Sequence, residues 1–452
     1  MRNKSIDMCN GPLLKNVFIF AVPMMLSGIL QLLFNAVDMI VVGQFAGNSA
    51  LASVGATSST INLLVTLFTS LSVGVSVVIS QNFGAQSYDD VSKSLHTAMF
   101  LSVLGGISVA VIGFFCARPL LILIDTPVEI LDKATLYMKI YFIGMPASLV
   151  YNFGASALRA VGNTKQPMYY LIIGGAINAV LNLVFVIVFG MDVDGVAIAT
   201  VVAQTVSAAL VVRRLILADD CLKLDLSKLR VYPDKLVFIL KIGIPAGISG
   251  CIFSLSNMLI QSSLNSFDNE NMIAGSTVAG NIEGFIYVAM TAFNHASITF
   301  TGQNIGAGKG KRVKNVLLTN MFWVTVVGGV LGILCLVFDR SLLSLYSTEA
   351  EVLYYGEKRL FIISLTYFLC GIMEVLVGTL RGMGISALTS FINVVGIIGI
   401  RLFWIYTIFA QHRSFEVLYC SYPVSWAIIC MALFICFCIG YKKLVDFQAH
   451  EK

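Results

Sequence analysis

Charged side chains are scarce in this sequence. Lys, Arg, Asp and Glu together make up 12% of its 452 residues, about half their share of an ordinary soluble domain. With a mean hydropathy of +0.88, that shortage excludes a water-soluble fold, because no soluble core uses so much apolar surface. Histidine is scarcer still: His96, His295, His412 and His450 are too few and too scattered for a metal site. The ten cysteines contain no C-x-x-C, and only Cys436 and Cys438 lie close together. Isolated thiols packed in helices are expected, rather than a disulfide or metal framework. No basic stripe is interleaved with aromatics, so a nucleic-acid partner is not expected. The start, "MRNKSIDMCNGPLLKN", has no apolar run followed by a cleavage site and reads as a retained cytoplasmic terminus.

Apolar stretches are abundant. Runs of spanning length, about 20 residues each, recur near 15–40, 51–80, 95–116, 134–156, 167–189, 195–216, 236–264, 275–302, 315–337, 356–379, 387–409 and 415–440. They are too long and continuous for transmembrane strands. Helices are expected, since a helix satisfies its own backbone inside lipid. With the N-terminus inside, Lys and Arg favour the inner segments roughly three to one, which places both termini in the cytoplasm. The longest polar connection, "RRLILADDCLKLDLSKLRVYPDK", falls at mid-chain. The expected organisation is a six-helix lobe over 1–216, a cytoplasmic linker over 217–235 and a second six-helix lobe over 236–452.

The two halves repeat each other. "QNFGAQ" begins at Gln81 and "QNIGAG" at Gln303, 222 residues on. The same offset superposes Pro23 on Pro245, Ser27 on Ser249, Asn35 on Asn257, Thr126 on Thr348 and Arg159 on Arg381. Six spans per repeat make the repeats parallel, around a central cleft. Such an all-α, twelve-helix architecture suits alternating access and gives an enzyme no catalytic cluster. Major facilitator transporters share the six-plus-six plan, but the loop "QNFGAQSYDDVSKS" does not fit their motif. Gly84 and Gly306 are expected to leave their helices in a left-handed conformation.

Several ordered motifs resemble those of the multidrug and toxic compound extrusion (MATE) family. They are "AVPMM" and "GIPAG", "VDMIVVGQFAGNSALASVG", the twin "QN" phrases, "LRAVGNTKQPM", "INAVLNLVF" and "LRGMG". "NIEGFIYVAMTAF" followed by "GQNIGAG" is similar to a bacterial branch. The resemblance covers nearly the whole chain. It implies cation-coupled export of small compounds, often aromatic and cationic, across the plasma membrane.

Four ionisable residues lie within the spans: Asp38, Glu283, Glu374 and Arg401. Each is a functional candidate, because a charge in the bilayer is costly. The resemblance gives Asp38 a role in proton or sodium coupling. Asn178 and Asn182, one helical turn apart, share a face at compatible depth. Many relatives carry Asp where this chain has Asn182, so the coupling ion, H+ or Na+, stays open. No other cofactor is expected. Acids near Cys370 and near Phe253 or Ser254 that a sodium-coupled branch carries are missing here. Glu374 aligns with Asn152, polar at mid-span in both repeats, which suggests cleft-facing positions. Cargo contacts are expected from Glu283, Asn152, Arg401, Tyr141, Phe285 and Trp404, with Tyr287 nearby. Glu283 and Arg401 could pair, and Arg159 and Arg381 could anchor to headgroups or form gating bridges with Asp89 or Asp90. Small molecules and lipid are the expected partners of a monomer. The other readings are a flippase of lipid-linked saccharides and a membrane-embedded transferase.

Overall fold

The computed structural model describes residues 6–450. The described chain is helical throughout and contains no strand. Its long helices are α1 (Leu13–Ala46), α2 (Ser49–Gly84), α3 (Tyr88–Leu123), α4 (in two pieces, Val128–Ile143 and Met145–Ala160), α5 (Lys165–Val188), α6 (Val193–Ile216), α7 (Pro233–Asn265), α8 (Glu270–Gly306), α9 (Gly310–Val337), α10 (Ala350–Gly382), α11 (Ser386–Phe409) and α12 (Phe415–Gln448). All but α4 and α8 are both long and apolar enough to cross a membrane. The two exceptions have physical causes. Helix α4 breaks at Gly144, leaving two 16-residue pieces. Helix α8 runs for 37 residues, but Ser276, Asn281, Glu283, Asn294 and Thr301 interrupt its apolar surface.

The chain forms two compact units that do not follow its midpoint. One holds Leu26–Gly247; the other holds Ile6–Met25 and everything from Ile248 onward. Both divisions fall inside a helix, two residues after Pro23 and Pro245, and the two cuts obey the repeat offset of 222. A proline inside a helix removes one backbone hydrogen bond and crowds the preceding turn, so each helix changes allegiance where its ladder is weakest. The hydrophobic cores cross over in the same way. Ile239 of α7 joins the core of the first unit, while Val17, Phe20 and Ala21 of α1 join that of the second.

The 217–235 segment does not separate the units; it belongs wholly to the first. The backbone N–H of Asp225 donates to His96 Nε2 at 3.1 Å, and that of Tyr232 to Thr97 Oγ1 at 3.1 Å. Lys235 pairs with Asp90 at 2.9 Å. The second unit has an equivalent strap. Met8 is buried there, Asn304 Nδ2 donates to its carbonyl at 3.1 Å, and Lys309 Nζ donates to the Cys9 carbonyl at 3.2 Å.

Gly84 and Gly306 end α2 and α8, but neither is left-handed. The left-handed residues come two positions later, at Gln86 (φ 60°) and Gly308 (φ 68°). Among the described residues of the first unit, no gating bridge joins Arg159 to Asp89 or Asp90. Arg159 donates to Ser156 Oγ at 3.0 Å, while Asp89 pairs with Lys93 at 2.6 Å and Asp90 with Lys235.

Without a hydrophobic drive between helices in lipid, small residues bring backbones together. A Cβ on Gly243 would stand 2.8 Å from Leu71 Cα, and one on Gly247 would stand 2.8 Å from the Leu67 carbonyl oxygen. Gly243→Val is therefore expected to destabilise the first unit by about 1–3 kcal/mol. Thermal unfolding of the purified protein would read this as a lowered Tm. An unchanged Tm would show that the two helices do not pack this closely.

Candidate functional site

In the first unit, polar groups gather around the end of α1. Asn182 Nδ2 donates to Asp38 Oδ1 and, at 3.4 Å, to Asn178 Oδ1. Asn178 Nδ2 donates to Thr200 Oγ1 at 3.3 Å. The one-turn spacing of the two asparagines on α5 thus places both against α1 and α6, as their shared face requires. Asn182 is fully buried, and its carbonyl oxygen has no hydrogen-bond partner. Tyr137 and Tyr141, with ring centroids 6.3 Å apart, stand near this group. Asn152, by contrast, turns back to its own helix, donating to the Ser148 carbonyl at 2.8 Å.

The cluster is rich in oxygen. The Asp38 carboxylate, the Asn178 carbonyl oxygen and Thr200 Oγ1 surround the two amides, with the Asn182 carbonyl oxygen turned away from Asp38. Which way an amide points is an assignment made from its hydrogen bonds. A flip of Asn182 would turn its spare oxygen toward Asp38 and complete a set of hard ligands for a small cation. A bound proton would suit the amide orientation already present, with Asp38 neutral and Asn182 still donating.

In the second unit, a cavity of about 260 Å³ is walled by Phe253, Tyr287, Tyr367, Tyr419, Tyr422 and Trp426. Phe253 and Tyr287 stack nearly parallel, at 9° and 5.8 Å. Glu283 and Arg359 line the same space, along with Asn257 and Gln261. Arg359 holds Glu283 by two hydrogen bonds, Nη2 to Oε2 at 2.7 Å and Nε to Oε1 at 3.0 Å. Its Nη1 donates to the Ser276 carbonyl at 2.9 Å and to Ser276 Oγ at 2.8 Å. Below them, Asn294 Nδ2 donates to Glu374 Oε2 at 2.6 Å, and Tyr287 lies within interaction distance of the same carboxylate. A polar path therefore joins the cavity wall to Glu374.

Glu283 and Arg401 do not pair. Glu283 is held on both carboxylate oxygens by Arg359. Arg401 is completely buried on α11, donates to Ser256 Oγ at 3.0 Å and to Asn257 Oδ1 at 3.3 Å, and stacks over Tyr422 at 4.0 Å. Phe285 and Trp404 are not among the cavity's lining residues. Trp404 Nε1 is taken by the Val417 carbonyl at 2.8 Å.

Several residues of these sites had no signal of their own in the sequence. Arg359 sits close enough to the polar start of α10 to be counted as a loop charge. Thr200, Asn294 and Trp426 are ordinary residues of apolar helices. One backbone feature marks the sites. A π-helical turn begins four residues after Asp38 (Val42–Ala46), another begins two residues after Asn182 (Val184–Val188), and Arg401 lies between two more (Val395–Gly399 and Ile405–Phe409). Such turns re-aim side chains and cluster at functional positions.

Comparison with known proteins bears on the family and the fold. A family model described as MatE matches residues 23–184 and again 245–407, two segments that repeat the offset within the chain. A probable multidrug resistance protein of Bacillus subtilis, YoeA, is 28% identical over 95% of this chain and 94% of its own. A second from that organism, YpnP, is 27% identical over 89% of this chain and 88% of its own. Among solved structures, an outward-facing multidrug resistance MATE family transporter of the MOP superfamily superposes with a TM-score of 0.92. It shares 20% identity and covers 99% of this chain and 100% of its own.

Proposed function

Because the chain belongs to the multidrug and toxic compound extrusion family, and so is a multi-pass membrane transporter, we propose that it exports small aromatic compounds in exchange for an inward-moving cation, H+ or Na+. The observation that carries this reading is the oxygen cluster of Asp38, Asn178, Asn182 and Thr200, with one carbonyl left unpartnered. A single carboxylate balances a single monovalent cation. Buried ionisable residues in a membrane protein mark ion pathways, and the aromatic cavity of the second unit supplies a separate place for cargo. Glu374, joined to that cavity through Tyr287, is the second carboxylate through which ion and cargo communicate.

Coupling requires that each ligand distinguish the two access states. The cation would favour the state that releases cargo outward. The plasma membrane, with both termini cytoplasmic, is the setting that the Lys and Arg distribution supports. The test is efflux of an aromatic dye from reconstituted vesicles under a proton gradient alone and a sodium gradient alone. One gradient is expected to drive export, and Glu374→Gln is expected to slow it about tenfold. Export indifferent to both gradients would sink the antiport reading. A Glu374→Gln variant matching wild type would remove that residue from the coupling path.

A further inference from the structure

The cavity of the second unit has an unbalanced charge. Its wall carries Glu283 and Arg359, which neutralise each other, and behind the wall stands Arg401, which no carboxylate among the described residues meets. Of the acids on the neighbouring helices, Glu283 is paired with Arg359 and Glu416 with Lys358, while Glu374 accepts from Asn294. Arg401 is fully buried, yet its Nε and Nη2 have no acceptor. A guanidinium cannot shed its charge, and a buried donor without a partner is costly.

The groups between Arg401 and the cavity all present donors. Asn257 Oδ1 accepts from Arg401 Nη1 at 3.3 Å and from the Tyr422 hydroxyl at 3.3 Å. With its oxygen occupied on both sides, Asn257 offers its amide nitrogen to the cavity it lines. Trp426, on the same wall and 5.7 Å from the Tyr422 ring, has a buried Nε1 with no acceptor. An indole can only donate. One end of an aromatic-walled cavity therefore carries an amide N–H, with an indole N–H and an uncompensated positive charge buried in and behind its wall.

We propose that this cavity takes a flat aromatic compound by an anionic group, of the carboxylate class, with Asn257 Nδ2 and Trp426 Nε1 donating to it and Arg401 supplying the balancing charge. The aromatic walls stack the ring system, and the donor end sets its orientation. The inference names the cargo class of the proposed exporter and rests on that reading only for the word cargo. It replaces the organic cation that the sequence motifs suggest with an aromatic acid.

The test is calorimetric titration of the purified full chain, in detergent and without gradients, with a matched pair of probes. The probes are 2-naphthoate and 2-naphthylmethylammonium, which share a ring and differ in the sign of their charge. Wild type is expected to bind the carboxylate at least ten times more tightly than the ammonium. Arg401→Gln is expected to abolish that preference. Asn257→Asp keeps Arg401 and gives it a carboxylate partner, so it should reverse the preference even if Arg401→Gln folds poorly. Trp426→Phe keeps the ring, loses the donor and should weaken naphthoate several-fold. Equal binding of the two probes, a tighter ammonium, or a naphthoate affinity unmoved in Asn257→Asp would overturn the proposal. So would saturable binding of short-chain phosphatidylglycerol without naphthoate, which would make the charge a lipid-headgroup site. Naphthoate binding with no gradient-driven export would instead leave the site standing and defeat the antiport reading.

Discussion

Asp38→Asn is expected to cut gradient-driven export about 100-fold, the upper range of coupling between two ligands of one protein, while the protein folds and binds cargo as before. The substitution is nearly isosteric. The amide oxygen it introduces still accepts the hydrogen bond from Asn182, so the packing of α1 on α5 survives. What is lost is the only negative charge of the oxygen cluster. Neither a proton nor a sodium ion then has a reason to occupy it, and the two access states no longer differ in cation affinity. Asn182→Asp is the informative companion. It gives the same place two negative charges, which one sodium ion cannot balance, so sodium-driven export should fall further than proton-driven export. Measuring both fluxes in vesicles, with dye binding as the control for folding, separates the outcomes. Transport retained in Asp38→Asn would dismiss the cluster as the coupling site.

The second large effect concerns stability rather than transport. Arg359→Leu strands Glu283 among apolar helices. Glu283 is 7% exposed and its partner 14%, so water does little to screen the charge left behind. Removing one member of a buried pair typically costs about 3–5 kcal/mol, and here Ser276 loses a donor as well. Replacing both members, Glu283→Met with Arg359→Met, removes the stranded charge and should recover most of the loss. Melting temperatures of wild type, the single variant and the double variant form the comparison. A single variant that melts with wild type would mean that the pair is not buried in the membrane-embedded protein.

Much of the fold was legible because lipid imposes a simple rule: a span must be long, apolar and helical. Pro23 with Pro245 and Gln81 with Gln303 exposed the duplication, since polar and helix-breaking residues keep register where apolar ones drift. Asp38, Asn178 and Asn182 were legible as a group because depth and helical period are enough to bring them together. The second unit's cavity was less so. Whether Glu283 meets Arg401 or Arg359 depends on rotations of α8 and α10 that no periodicity fixes when a helix is apolar on several sides. Phe285, Trp404 and Tyr287 lie at nearby helical positions, and packing decides which of them lines the cavity. The π-helical turns beside Asp38, Asn182 and Arg401 shift the helical phase by a fraction of a turn, and nothing in "VGQFA" or "VFVIV" announces them. The compact units also diverge from the linker, because a linker marks where a chain is polar, not where its contacts end.

The exchange of half-helices bears on how the protein is made. Residues 6–25 leave the ribosome well before their companions, since the core they complete begins at Ile248. At about 5–20 residues per second, translation of the intervening stretch takes on the order of ten to forty seconds. For that time the first half of α1 sits in the bilayer without its companions, while its second half is already gathering the first unit. That unit in turn closes only when the opening residues of the seventh helix emerge. A nascent chain halted near residue 216 would own neither finished core. One halted just past residue 247 would own a complete first unit and a single half-helix waiting for a partner not yet synthesised.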